Sequence, residues 1–168
     1  MSVNDLNKIA EYIVSNGKGI LAADESTGTI KKRFDSIDTE STEQSRRTYR
    51  EMLFQADGMK DNIGGVILFE ETLKQNAENG TSLVQVISNQ GALPGIKVDK
   101  GLTPISEGSK ETVTNGLDDL DQRCKEYYQI GAKFTKWRAV INIGNGIPTD
   151  ECIDENMLRL ANYAKIVQ

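Results

Sequence analysis

Four times along this chain a short apolar run gives way to a segment of helical period, and that order limits the fold more than any other property of the sequence. The runs are Gly19-Ile20-Leu21-Ala22-Ala23, closing on Asp24; Gly65-Val66-Ile67-Leu68-Phe69, closing on Glu70 and Glu71; Gly95-Ile96-Lys97-Val98-Asp99; and Lys133 to Ile143. Ahead of the first, Leu6, Ile9, Ala10 and Ile13 recur at helical spacing after Asp5, with Asn16-Gly17 as the stop. Between the runs, a helix is predicted through Tyr49, Met52, Leu53 and Ala56, opened by Ser41-Thr42-Glu43-Gln44 as a capping box. Further helices are predicted over Ser82 to Ser88 and through Leu117, Leu120, Cys124 and Tyr127 or Tyr128, stopping at Gly131. The last opens at Pro148-Thr149-Asp150 and carries Ile153, Met157, Leu160, Ala161 and Ala164. Strand-then-helix units in series imply parallel strands joined by helical crossovers.

Two architectures satisfy that order. One is a flavodoxin-like doubly wound sheet; the other is part of a (β/α)8 TIM barrel. A doubly wound sheet is covered on both faces, so its central strands read as nearly unbroken apolar runs. Here Ile96 and Val98 alternate with Lys97 and Asp99, and Thr135, Trp137 and Ala139 alternate with Lys136 and Arg138. Each strand therefore has an apolar side for helices and a charged side directed elsewhere. A barrel interior opening onto a site at its C-terminal mouth accommodates those charges, whereas a sandwiched sheet does not, at several kcal/mol for each unpaired ion. The barrel is the expected fold. The four runs begin roughly 38 residues apart on average, so eight units would need on the order of 300 residues. The 168 residues thus read as the first four βα units of a single barrel domain, with the last helical pattern continuing to Gln168.

Composition narrows the chemistry. Lys and Arg total 20 against 25 Asp and Glu, a net charge of −5, so no long-range positive field favours nucleic acid or an acidic membrane. The chain contains no His, which removes His-based triads and the commonest zinc ligand. Its two cysteines, Cys124 and Cys152, are too few for a disulfide scaffold and read as reduced, packed thiols. Met1 to Val14 lacks a basic region followed by an apolar core, and a cytoplasmic location is expected.

Active sites of barrels gather at the C-terminal ends of the strands. Asp24 closes the first strand and, by alternation, shares a side with Ile20 and Ala22. Glu70 and Glu71 close the second; Lys97 and Asp99 stand on the third; Lys136 and Arg138 stand on the fourth. Lysines, an arginine and a carboxylate gathered at one mouth suit an anionic substrate. A lysine crowded by another cation can exchange protons near neutrality or attack a carbonyl, and an arginine holds phosphate in a fork of donors. After Asp24, Glu25-Ser26-Thr27-Gly28-Thr29-Ile30-Lys31-Lys32-Arg33 supplies hydroxyls, a glycine and three bases, a candidate phosphate cradle whose spacing is not that of a Walker loop. Ser26 and Thr27 also suit a helix cap, and Arg46 and Arg47 read as surface residues of their helix.

These segments strongly resemble class I fructose-1,6-bisphosphate aldolases. The similarity is carried by residues Gly17 to Ile30, by Gly64 to Leu73, by Gly95-Ile96-Lys97-Val98-Asp99-Lys100-Gly101 and by Phe134-Thr135-Lys136-Trp137-Arg138, with Gly116-Leu117-Asp118 and Arg123-Cys124 similar to an intervening helix. The resemblance implies reversible cleavage of fructose 1,6-bisphosphate to dihydroxyacetone phosphate and glyceraldehyde 3-phosphate through a lysine Schiff base, with neither metal nor other cofactor. It implies that Asp24 stands beside the reacting carbons and that Lys136 assists proton transfers. Ser26, Thr29, Lys97 and Arg138 resemble contacts to the phosphate distal from the Schiff base; Arg33 resembles a residue near the other phosphate; Arg46 resembles a position linked to substrate binding. The family is usually tetrameric, so a homo-oligomer is expected. Its general acid/base glutamate and Schiff-base lysine lie on the fifth and sixth strands, beyond Gln168. The 168-residue polypeptide alone is therefore expected to be inactive; a non-catalytic sugar-phosphate-binding or assembly module is the alternative.

Overall fold

The computed structural model describes residues 3–168. In chain order the elements are α1 (Val3–Val14), β1 (Gly19–Ala23), α2 (Thr27–Asp35), α3 (Glu43–Phe54), α4 (Met59–Asn62), β2 (Ile63–Leu68), α5 (Glu70–Leu73), α6 (Leu83–Asn89) and β3 (Leu93–Lys97). They continue with β4 (Leu102–Pro104), β5 (Thr112–Thr114), α7 (Leu120–Ile130), β6 (Phe134–Lys136) and α8 (Asp150–Val167). The chain forms two compact units, one running to Lys97 and including Tyr127–Thr135, the other comprising Val98–Glu126 and Lys136–Gln168.

The first unit holds the parallel sheet, in the order β1-β2-β3-β6. β1 pairs with β2 from Ile20↔Gly65 to Ala23↔Leu68, and β2 pairs with β3 from Gly65↔Leu93 to Leu68↔Ile96. Lys133 N–H donates to Pro94 O at 2.8 Å, which brings in the β6 end. The strand side chains Ala23, Val66, Leu68 and Ile96 are buried with Leu83, Ile87, Ile30 and Phe54 from the helices. By contrast, Ile20 and Ala22, on the other side of β1, are exposed, as alternation requires. α1 ends where Asn16 and Gly17 take φ of 55° and 75°, the left-handed turn that glycine and asparagine tolerate best. Gly64, Gly65 and Gly95 allow close approach: α1 backbone at Ile13 lies against Gly64, and the Phe134 ring covers Gly65 and Gly95.

In the second unit β4 and β5 form an antiparallel pair, Leu102↔Thr114 to Pro104↔Thr112, which the sequence pattern did not signal. α8 is fastened to β5 by side chains. Glu111 accepts from Thr149 N–H (2.7 Å) and Thr149 O–H (2.9 Å), and Thr149 caps the helix by accepting from Cys152 N–H. The Asn156 amide donates to Thr112 O at 3.0 Å, and Arg159 donates to Thr114 O at 3.2 Å. Trp137 stacks on Tyr163 with ring centroids 5.2 Å apart.

Several expectations need correcting. The third strand ends at Lys97, not Asp99, because Lys100 N–H and Gly101 O turn away to bond Asn115. The fourth strand is only Phe134–Lys136; beyond it the Arg138 carbonyl accepts from the Thr114 hydroxyl instead of a strand neighbour. The cap of α3 is one residue later than Ser41. Thr42 accepts from Ser45 N–H, and Ser45 Oγ in turn accepts from Thr42 N–H. The buried face of α3 is Arg46, Arg50 and Phe54, while Met52 is exposed and Ala56 lies past the helix end. Cys152 and Asn156 are the buried residues of α8, leaving Ile153 and Met157 exposed, because Asn156 binds the β5 backbone.

Lys100 and Arg123 both hydrogen-bond Asp119, at 2.6 and 2.8 Å, and Arg123 also donates to Val98 O and Gly116 O. The Lys100 ammonium, then the Arg123 guanidinium, lower the Asp119 carboxyl from 3.8 to about 2. Because the folded value lies below the unfolded one, the carboxylate's contribution is present above pH 3.8 and is lost as pH falls through about 2. Asp119→Asn is expected to flatten thermal stability across that acid window and to leave its shape near neutrality unchanged.

Candidate active site

At the C-terminal end of β1 the chain leaves the sheet through Asp24 and Glu25 and enters α2 at Ser26. Ser26 is the helix cap: its extended backbone (φ −62°, ψ 159°) lets its oxygen accept from Thr29 N–H at 3.4 Å. The two hydroxyls also bond each other, Ser26 Oγ to Thr29 Oγ1 at 3.1 Å. Capping and anion recognition are compatible here, because the first-turn N–H groups and the positive end of the helix dipole point the same way as the hydroxyls. Asp24 and Ser26 are half-buried and Thr29 is exposed, as residues at a rim should be. Lys97, also half-buried, ends β3 in the same unit.

Lys136, half-buried at the end of β6, and Arg138, exposed two residues on, belong to the second unit. Arg33 is exposed on α2 and pairs with the Glu25 carboxylate. Lys31 pairs with Asp35 one turn further along α2 at 2.7 Å, the solvated face its spacing implied.

Arg46 is not a surface residue. It is buried and grips Glu71 with two parallel bonds, Nε to Oε2 at 2.8 Å and Nη2 to Oε1 at 2.5 Å, with Nη1 donating to Ser41 O at 3.1 Å. The Arg46 hydrogen bond lowers the Glu71 carboxyl, and Glu71 raises the Arg46 guanidinium, against the opposing effect of burial. One turn further along α3, Arg50 is wholly buried. Its Nη2 donates to the Glu25 carbonyl at 2.6 Å, and its charge lies 3.9 Å from the Glu25 carboxylate and 3.7 Å from that of Glu71. Burial pushes the Arg50 guanidinium down, opposed by Glu25 and Glu71. Sequence reasoning named Glu25 only as part of the cradle and missed Arg50 and the pairing of Glu25 and Glu71 with the α3 arginines. The available signal was the four-residue spacing of Arg46 and Arg50, facing carboxylates at the ends of two strands. The cysteines behave as expected: burial raises both thiols, Cys124 and Cys152, away from the reactive thiolate form.

A family model described as "Glycolytic: Fructose-bisphosphate aldolase class-I" matches residues 5–168. A probable fructose-bisphosphate aldolase class 1 of Xylella fastidiosa is 49% identical over 168 residues, all of this chain and 50% of the relative. The cytosolic fructose-bisphosphate aldolase 4 of Arabidopsis thaliana is 55% identical over 159 residues, 95% of this chain and 40% of the relative. Among solved structures, fructose-bisphosphate aldolase from Plasmodium falciparum, in complex with TRAP and a small-molecule inhibitor, superposes with a TM-score of 0.94 at 51% identity. That superposition covers 98% of this chain and 48% of the solved one. The chain thus has the fold of the first part of a TIM barrel and spans about half the length of the curated relatives it matches.

Proposed function

The chain belongs to the class I fructose-bisphosphate aldolase family, and on that premise we propose that it supplies the first four βα units, residues 1–168, of one barrel domain that cleaves fructose 1,6-bisphosphate reversibly to dihydroxyacetone phosphate and glyceraldehyde 3-phosphate. The observation that carries the reading is the likeness along the whole chain, at about half identity, including the Asp24–Thr29 turn whose hydroxyls and helix terminus suit a phosphate. In this reading Asp24 serves the reacting carbons and Lys136 moves protons while the imine forms. Ser26, Thr29, Lys97 and Arg138 bind the phosphate remote from the imine, and Arg33 serves the other phosphate. Arg46, whose guanidinium is committed to Glu71, contributes to binding through that carboxylate. The enzyme needs no metal, works as a homo-oligomer of the family's tetrameric kind and acts in the cytoplasm. Two Arabidopsis relatives named as cytosolic support the location, and among the described residues no helix is long and apolar enough to cross a membrane.

Borohydride trapping tests the assignment. With dihydroxyacetone phosphate, a full-length enzyme carrying this chain is expected to lose activity and to carry the label on a lysine outside residues 1–168, with or without a chelator. The 168-residue polypeptide alone is expected to take up none. Stoichiometric label on Lys97 or Lys136, or a cleavage reaction abolished by chelation, would overturn the proposal.

A further inference from the structure

Glu25 is held from two sides. Its carboxylate, 9% exposed, pairs with Arg33 of α2, and its main-chain oxygen accepts from Arg50 of α3. That carbonyl lies between the two residues proposed to meet the substrate, Asp24 before it and Ser26 after it. Burying a guanidinium completely costs several kcal/mol unless it is paired, so the location of Arg50 demands a compensating arrangement. The compensation is unusual in its target. The short bond goes to a backbone oxygen, while the two carboxylates stand at 3.7 and 3.9 Å, and Nε and Nη1 make no hydrogen bond to the described residues. A simple structural ion pair would put the fork on a carboxylate, as Arg46 does with Glu71 four residues earlier. Arg46 anchors α3 to α5, just past the end of β2, and Arg50, on the same helix face, is aimed at the turn just past the end of β1.

We infer that Arg50 is a positioning residue for the sugar-phosphate site: by bonding the Glu25 carbonyl it fixes the Glu25–Ser26 peptide plane, and so sets the Ser26–Thr29 cradle, next in the chain to Asp24, relative to the sheet. The inference rests on the function proposed above for its consequence, but the turn it orders is a property of the chain itself. Arg50 touches no substrate in this scheme. Its lever is geometric, because the Glu25 carbonyl belongs to the same peptide unit as the Ser26 N–H, and Ser26 in turn accepts from the N–H groups of Thr29 and Ile30 at 2.9 Å.

The test compares Arg50→Lys and Arg50→Met with wild type. Lysine keeps a cation between Glu25 and Glu71, so that variant is expected to fold, yet a single ammonium cannot reproduce the planar fork. Amide hydrogen exchange is read at Thr29 and Ile30, against Val66 and Leu68 in β2 as the reference. In Arg50→Lys, exchange in the cap is expected to quicken about 10-fold, from a charge-assisted bond lost locally, with the β2 reference unchanged. Arg50→Met is expected to give a larger change in the same place. In the full-length enzyme, fructose 1,6-bisphosphate binding should weaken in step. Cap exchange equal to wild type in Arg50→Lys, or an equal rise in the cap and in β2, would overturn the inference by showing no role or a merely structural one. If cap exchange responds locally while wild-type enzyme fails to bind the bisphosphate, the positioning role stands and the proposed substrate falls.

Discussion

Replacing Gly64 by Ala is expected to unfold the first unit under conditions where the unaltered chain is folded. A Cβ on Gly64 would overlap the Ile13 carbonyl oxygen and lie 2.7 Å from the carbonyl carbon and 3.0 Å from Cα. All three are backbone atoms of α1, so no rotamer change relieves the clash. The Ile13 side chain is itself buried, and Tyr12 of the same turn donates to Gly91 O at 2.7 Å. α1 must therefore lift from β2 and give up its packing. Overpacking commonly costs 1–3 kcal/mol, and against fixed backbone the loss is expected at about 3 kcal/mol or more. The readout is the urea midpoint of the chain, with Gly28→Ala as control because a Cβ there meets nothing within 4 Å. Equal midpoints for the two variants would refute the close approach of α1 to β2.

Glu71→Gln is expected to be the most damaging single charge change in the first unit. Glu71 faces two buried guanidiniums, one in a bidentate grip and one at 3.7 Å, and the amide removes the charge that compensates both. Breaking a buried pair by deleting one partner costs about 3 kcal/mol at neutral pH, more than an exposed pair such as Lys74 with Glu70 could. The effect should depend on pH in a defined direction. Arg46 holds the Glu71 carboxyl below its usual 4.5, so its stabilisation is present above that value and is lost as pH falls through the lower folded-state value. Wild type and variant should therefore converge in acid and diverge toward neutrality. Parallel profiles, measured by thermal melts across that range, would show that the pair contributes nothing beyond its shape.

The sequence pattern reached the sheet and the rim but not the electrostatics between them. β1 was legible to the residue because Gly19 and Asp24 bracket an apolar run, and α6 and α8 were legible as helices opening at Ser82 and at Pro148-Thr149-Asp150; that the Ser82 and Thr149 side chains cap them came from the structure. The β4–β5 pair was not, because Leu102–Pro104 and Thr112–Thr114 are three residues each, too short for a period to show. α3 misled for a different reason. Periodicity assigns burial by hydrophobicity, and there two of the three buried positions are arginines whose partners lie 25 residues away in either direction, at Glu25 and Glu71. Such pairing cannot be read from one helix. The same limit made Arg46 look solvated and concealed Arg50. Position on the strands was easier: Asp24, Lys97 and Lys136 stand at or just past the ends of β1, β3 and β6, where the alternation of charged and apolar residues put them.

The Ser26 and Thr29 hydroxyls bring one more consequence. Two alcohols joined by a hydrogen bond have only two protons, and one is consumed between them, whichever is the donor. The couple can therefore offer an incoming oxyanion a single O–H, made a better donor by the bond behind it. Thr29→Val should therefore leave the number of O–H groups offered outward at one, that of Ser26, rather than halve it, while removing the bond behind that donor.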